Sequence, residues 1–198
     1  MESYNREGCE ATFYSGGNKT QKVCVYFKIM SLIAYVDGGS RGNPGPAGIG
    51  VVIEHPTGRR VEISECIGSR DNNYAEYAAL LVALEYAAAY ESSRLQVFSD
   101  SEVVVRQISG AYTCQSPALR GIYELCRALI QSLEHFSICH VRRENNLDAD
   151  RLANAAMNRA EKKKNGDGAA HAEPWDSALA RVADRIQNAR RLIAVEQN

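Results

Sequence analysis

Residues 35–53 read YVDGGSRGNPGPAGIGVVI, and their interpretation decides the fold. An apolar, β-forming run (SLIAYVD, 31–37) ends on an acid, Asp37. A Gly/Pro segment, GGSRGNPGP (38–46), reverses the chain, and AGIGVVIE (47–54) forms a second strand. After the tight His55-Pro56-Thr57-Gly58 connection, RVEISECIG (60–68) reads as a third, with an imperfect alternation around Glu65 and Cys66. Links this short join antiparallel neighbours, so the first half of the fold is predicted as a three-stranded meander.

Downstream the period changes. Asp71, Asn72 and Asn73 are candidate helix caps, and Tyr77, Leu80, Leu81, Leu84 and Ala88 recur at helical spacing, predicting a helix over 74–90. LQVFSD (95–100) is a fourth strand and 101–109 a short helix closed by Gly110. Leu119 to Leu133 mark a further helix, FSICHVRR (136–143) a fifth strand, and 148–160 another helix. Three antiparallel strands followed by alternating helix and strand predict an α/β fold: a five-stranded mixed sheet flanked by helices.

The chain ends are different in kind. Residues 1–29 form a polar extension with one apolar patch, Val23 to Phe27, and Met30 offers a second translation start. Residues 161–174 read as a charged, Gly-containing linker. Residues 175–198 read as an amphipathic C-terminal helix, with Trp175, Leu179, Val182, Ile186 and Ile193 as its stripe, expected to brace the body. The predicted folded body is therefore 30–160.

Composition narrows the function classes. Among 198 residues, 23 Lys and Arg face 24 Asp and Glu, a formal net charge of -1. A protein that grips nucleic acid by bulk positive charge is excluded, although a local basic face is not. Six cysteines without C-x-x-C or zinc spacing predict reduced thiols and a cytoplasmic setting. No apolar run is long enough to span a membrane, and no secretory signal pattern opens the chain.

Four acids stand out: Asp37 at a strand end, Glu76 in a first helical turn, Asp100 at a strand end and Asp150 at a helix start. Each has a simple alternative reading as a turn cap, a dipole partner or a solvated residue. If they converge without His or Cys, they suit a hard divalent cation, Mg²⁺ or Mn²⁺. Spacing alone leaves convergence open.

YVDGGSRGNPGPAGIGVVI (35–53), NNYAEYAALLVALEYA (72–87), VFSDSEVVVRQI (97–108) and HVRRENNLDADRLANAAM (140–157), in this order, resemble the type 1 ribonuclease H family. The resemblance spans roughly 31–160. It implies a ribonuclease H-like fold and cleavage of the RNA strand of RNA–DNA hybrids with two Mg²⁺ (or Mn²⁺) ions. On it, Asp37, Glu76, Asp100 and Asp150 are the catalytic, metal-holding carboxylates, Asp150 being preferred to Asp148 because it precedes R-L-A. Gly38, Asn43, Asn72 and Asn73 match positions that meet the RNA minor groove, where the 2′-hydroxyl distinguishes RNA; Arg41 reads either as a phosphate contact or as a solvated loop residue. No membrane and no obligatory protein partner are implied.

Two departures mark a compact variant. The short segment from Val141 to Asp148 has no loop bearing an assisting histidine, and 108–121 is too short for an extra helix and basic handle. His140 is expected inside the fifth strand, leaving water, Arg142, Arg143 or Glu144 to assist proton transfer. The alternatives are a catalytically silent nucleic-acid-binding module, or a related nuclease acting on another nucleic acid.

Overall fold

The computed structural model describes residues 31–166. Five strands form one sheet: β1 (Leu32–Ser40), β2 (Gly45–Glu54), β3 (Arg60–Arg70), β4 (Arg94–Ser99) and β5 (His135–His140). Their order across the sheet is β3-β2-β1-β4-β5. β1 and β2 pair antiparallel, as do β2 and β3, while β1–β4 and β4–β5 are parallel. The helices are α1 (Asn72–Ala89), α2 (Glu102–Ile108), α3 (Pro117–Gln131) and α4 (Leu147–Gly166), with a 3-10 turn at Arg143–Asn145. The predicted meander and mixed sheet are both present, and only residues 109–116 separate α2 from α3.

α1 is the central element. Asp71 caps it, its carboxylate accepting the Tyr74 N–H at 2.7 Å. Tyr77, Leu80, Leu81 and Leu84 are buried as expected, but Ala87 rather than Ala88 completes the inner surface. Buried alanines at 75, 78, 79, 83 and 87 let the helix lie close to the sheet and to α3. α4 covers the opposite face, against β1, β2 and β3.

The imperfect sequence pattern of β3 hides a regular alternation, in which Glu65 is buried between Ile63 and Ile67. Ile63 and Ile67 enter the core, whereas Ser64 and Cys66 face α4, donating to the Leu152 carbonyl (2.6 Å) and the Ala156 carbonyl (2.8 Å). Packing of α4 on β2 is close because Gly50 has no side chain: a Cβ there would lie 2.0 Å from the Ala149 carbonyl oxygen.

Several boundaries differ from the sequence reading. β1 continues through Gly38 and Gly39 to Ser40, because pairing with β2 persists to Ser40–Ala47; the Gly segment begins as strand, not turn. β5 stops at His140, so Arg142 and Arg143 leave the sheet. α4 runs on to Gly166, so the start of the predicted linker at 161 is helical. Cys66, Cys114 and Cys126 are free thiols, but Cys139 is disulfide-bonded, against the expectation of a wholly reduced set. The predicted extension 1–29, the rest of the linker and the 175–198 helix lie outside the described residues.

Candidate active site

Asp37 lies in β1 and Asp100 just past β4, on adjacent parallel strands whose register pairs Val36 with Ser99. The two carboxylates therefore emerge side by side at one end of the sheet. Glu76 reaches the same place from the first turns of α1, held there by Gly38, whose N–H donates to Glu76 Oε2 at 3.3 Å. Asp150 arrives from the first turn of α4, which the contact at Gly50, the register partner of Asp37, sets against the sheet. Four distant segments thus bring four acids together.

The electrostatics of the four acids follow from this placement. Asp37 is buried, and its carboxyl is pushed up to about 7, first by burial and then by the charges of Asp100 and Asp150. Glu76, also buried, is held well above the usual carboxylate range by burial and then by Asp37 and Asp100. The guanidinium of Arg143 is hydrogen-bonded to Asp150 Oδ1 and opposes the upward push on Asp37 and Glu76. Asn154 Nδ2 donates to Asp150 Oδ2 at 3.0 Å.

Asp148 is placed otherwise. It is exposed and bonded to Arg60 of β3 at 2.5 Å, within a surface network that includes Glu62 and Arg151. The choice of Asp150 over Asp148 has this geometric counterpart.

The remaining candidates divide. Asn43, Asn72 and Asn73 are exposed beside one another, and Asn43 Oδ1 accepts the Asn72 N–H at 3.2 Å. Gly38 is buried beneath α1, so the close backbone approach it permits is that of a helix. Arg41 is exposed and turns to α4, bonding Asn158 Oδ1 and pairing with Glu161 at 3.5 Å. His140 is exposed at the end of β5, not enclosed by the strand as expected. Arg142 pairs with Glu144 at 3.8 Å.

One residue escaped the sequence reading. Asn146 is 1% exposed, and its Nδ2 donates to Asp100 Oδ1 at 2.7 Å and to the Val36 carbonyl at 2.9 Å. It was visible only as one asparagine within HVRRENNLDADRLANAAM (140–157).

Four carboxylates with neither thiolate nor imidazole form an oxygen-only donor set, which suits a hard divalent cation. The buried carboxyls of Asp37 and Glu76, pushed up by burial and by neighbouring acids, also favour a cation beside them. As the side chains lie, no three His, Cys, Asp or Glu among the described residues form a ready-made metal-holding group. Arg143, Asn146 and Asn154 take up oxygens of Asp150 and Asp100.

The reverse transcriptase-like family model matches residues 35–156. A ribonuclease HI of Halobacterium salinarum is 42% identical over 128 residues, covering 64% of this chain and 64% of that protein. A bifunctional protein of Mycobacterium tuberculosis is 40% identical over 134 residues, covering 66% of this chain and 36% of that protein. The chain thus spans under two thirds of the length of these relatives. The crystal structure of RNase H1 from Halobacterium salinarum has a TM-score of 0.62 at 42% identity, covering 65% of this chain and 98% of that one. LC11-RNase H1, solved with an RNA/DNA hybrid, has a TM-score of 0.61 at 39% identity, covering 66% and 99%.

Proposed function

This chain belongs to the reverse transcriptase-like family and has the ribonuclease H fold, and from that premise we propose that it is a divalent-metal-dependent endoribonuclease cleaving the RNA strand of RNA–DNA hybrids. The observation that carries the proposal is the approach of Asp37, Glu76, Asp100 and Asp150 from four separate elements, with Asp100 and Asp150 acting on Asp37, and Asp37 and Asp100 acting on Glu76. A binding module has no use for two buried carboxyls, Asp37 and Glu76, that neighbouring acids push up. The hybrid found on LC11-RNase H1 supports the substrate class.

The four carboxylates would hold Mg²⁺ or Mn²⁺, two ions with substrate bound. Bound there, such ions lower the pKa of water and stabilise charge on a scissile phosphodiester. The chain's own groups supply the frame. Gly38 and α1 orient Glu76, and the β1–β4 register sets Asp37 beside Asp100. Arg143 supplies positive charge at the cluster, and as the arginine bonded to Asp150 it is our choice for the group standing where an assisting histidine is missing. Asn43, Asn72 and Asn73 offer donors and acceptors for sugar hydroxyls on an exposed surface next to α1. Gly38 and Arg41 stay in the proposed contact set, and besides that hold α1 and α4.

Among the described residues no helix is long and apolar enough to cross a membrane. A cytoplasmic setting remains part of the proposal, although the disulfide at Cys139 counts against a fully reduced set.

The deciding experiment is cleavage of a labelled RNA–DNA hybrid beside duplex RNA and duplex DNA, with Mg²⁺, with Mn²⁺ and with EDTA. Hybrid-selective, EDTA-sensitive cleavage is expected. An intact hybrid with either metal overturns the proposal.

A further inference from the structure

Asn146 stands at the head of α4, where its backbone carbonyl accepts the Asp150 N–H at 3.0 Å. A side chain at such a position usually accepts an N–H from the first helical turn. That of Asn146 does not: its Oδ1 is buried and has no hydrogen-bond partner. Both amide hydrogens are instead engaged, one by the Val36 carbonyl at 2.9 Å and one by Asp100 Oδ1 at 2.7 Å. Each of these partners is an acceptor, so the amide nitrogen must face them.

The residue thus sits among three of the four acids. It holds the carbonyl immediately before Asp37, the carboxylate of Asp100 and the backbone of Asp150. Leaving a buried carbonyl oxygen unpaired costs about 1–3 kcal/mol, which aspartate or serine, both good caps, would avoid. Only a side chain with two donors reaches both acceptors from one atom.

We infer that Asn146 is a positioning residue, which fixes Asp100 by one oxygen so that the other is presented to a divalent cation. This rests on the reading of the four carboxylates as a metal-dependent hybrid-cleaving site. Groups that orient metal-holding carboxylates typically change affinity or activity by about 10–100-fold when removed.

The test compares Asn146→Asp, Asn146→Ala and Ser64→Ala with the native chain. Ser64→Ala removes a cross-element bond to α4 away from the cluster and controls for lost stability. Mn²⁺ affinity is measured by calorimetry without substrate, and kcat and KM on the hybrid separately. Both Asn146 variants are expected to lose about 10–100-fold in Mn²⁺ affinity and in kcat, with KM changed by less than about twofold. Ser64→Ala should change neither kcat nor Mn²⁺ affinity. Asp matches Asn in shape but lacks its two donors, so an Asn146→Asp variant with native Mn²⁺ affinity and kcat overturns the inference. So does an equal loss in Ser64→Ala. Native protein that binds Mn²⁺ in an Asn146-dependent way yet leaves the hybrid intact upholds the positioning role and overturns the proposed function. A native chain that binds no Mn²⁺ overturns both.

Discussion

Gly38 donates its backbone N–H to the carboxylate of Glu76 at 3.3 Å, and the absence of its side chain brings that carboxylate within reach. A Cβ at position 38 would lie 2.1 Å from the Ala75 carbonyl carbon and 2.3 Å from the Glu76 nitrogen. The strand that carries Asp37 and the helix that carries Glu76 are therefore joined backbone to backbone.

Gly38→Ala forces α1 off β1, because the obstructing atoms are main chain and cannot rotate away. A loss of about 3 kcal/mol is expected, read by urea unfolding. Hybrid cleavage should fall further than stability alone explains, since Glu76 moves with the helix.

The cluster makes the metal-free protein pH-sensitive. Asp37 titrates near 7 in the folded state against an ordinary value of 3.8, so the folded protein binds its proton more tightly. Stability is then highest at acid pH and declines as pH rises from about 4 to about 7; Glu76, raised in the same direction, adds to the decline. Asp37→Asn should remove much of this slope and stabilise the metal-free protein at pH 8, by on the order of 2–4 kcal/mol. The same variant should lose about 100-fold or more in hybrid cleavage, as several kcal/mol of transition-state stabilisation vanish. Thermal melts across pH with EDTA, beside cleavage assays, check both halves.

Asp150 and Asp148 should separate cleanly. Asp150→Asn is expected to abolish most cleavage with little loss of folding. Asp148→Asn breaks only the exposed pairing with Arg60 and Arg151, costing less than about 1 kcal/mol and leaving kcat unchanged. A drop in kcat for the Asp148 variant would reassign the fourth acid.

Arg143 balances the acids when no cation is added. Its side chain is largely exposed, which limits its contribution to about 1 kcal/mol. Arg143→Gln should lower the melting temperature in EDTA, and Mn²⁺ should then raise it by more than in the native chain. An unchanged Mn²⁺-induced shift would show that Arg143 and the cation do not share the cluster's field.

Much of this was legible along the chain. The alternation and short turns of 31–68, the helical recurrence from Tyr77 and the acids at element ends carry local information, and local information survives in sequence. What failed was non-local. The pairing of Gly38 and Gly39 with β2 turned a presumed turn into strand, and the packing of α4 gave Arg41 two partners on a distant helix. Asn146 was passed over because its meaning lies in a carbonyl and a carboxylate from two other strands.

The sequence by itself therefore determined the mixed sheet, the order of its elements and the identity of four candidate acids, because period, turn chemistry and residue type are local properties. Only the tertiary structure decided that the four acids meet, that Asp148 faces Arg60 instead, and that Gly38 and Gly50 set the helix approaches. The physical reason is that charge coupling and close packing depend on distance in space, which the parallel β1–β4 register and the glycine contacts fix after the chain has folded.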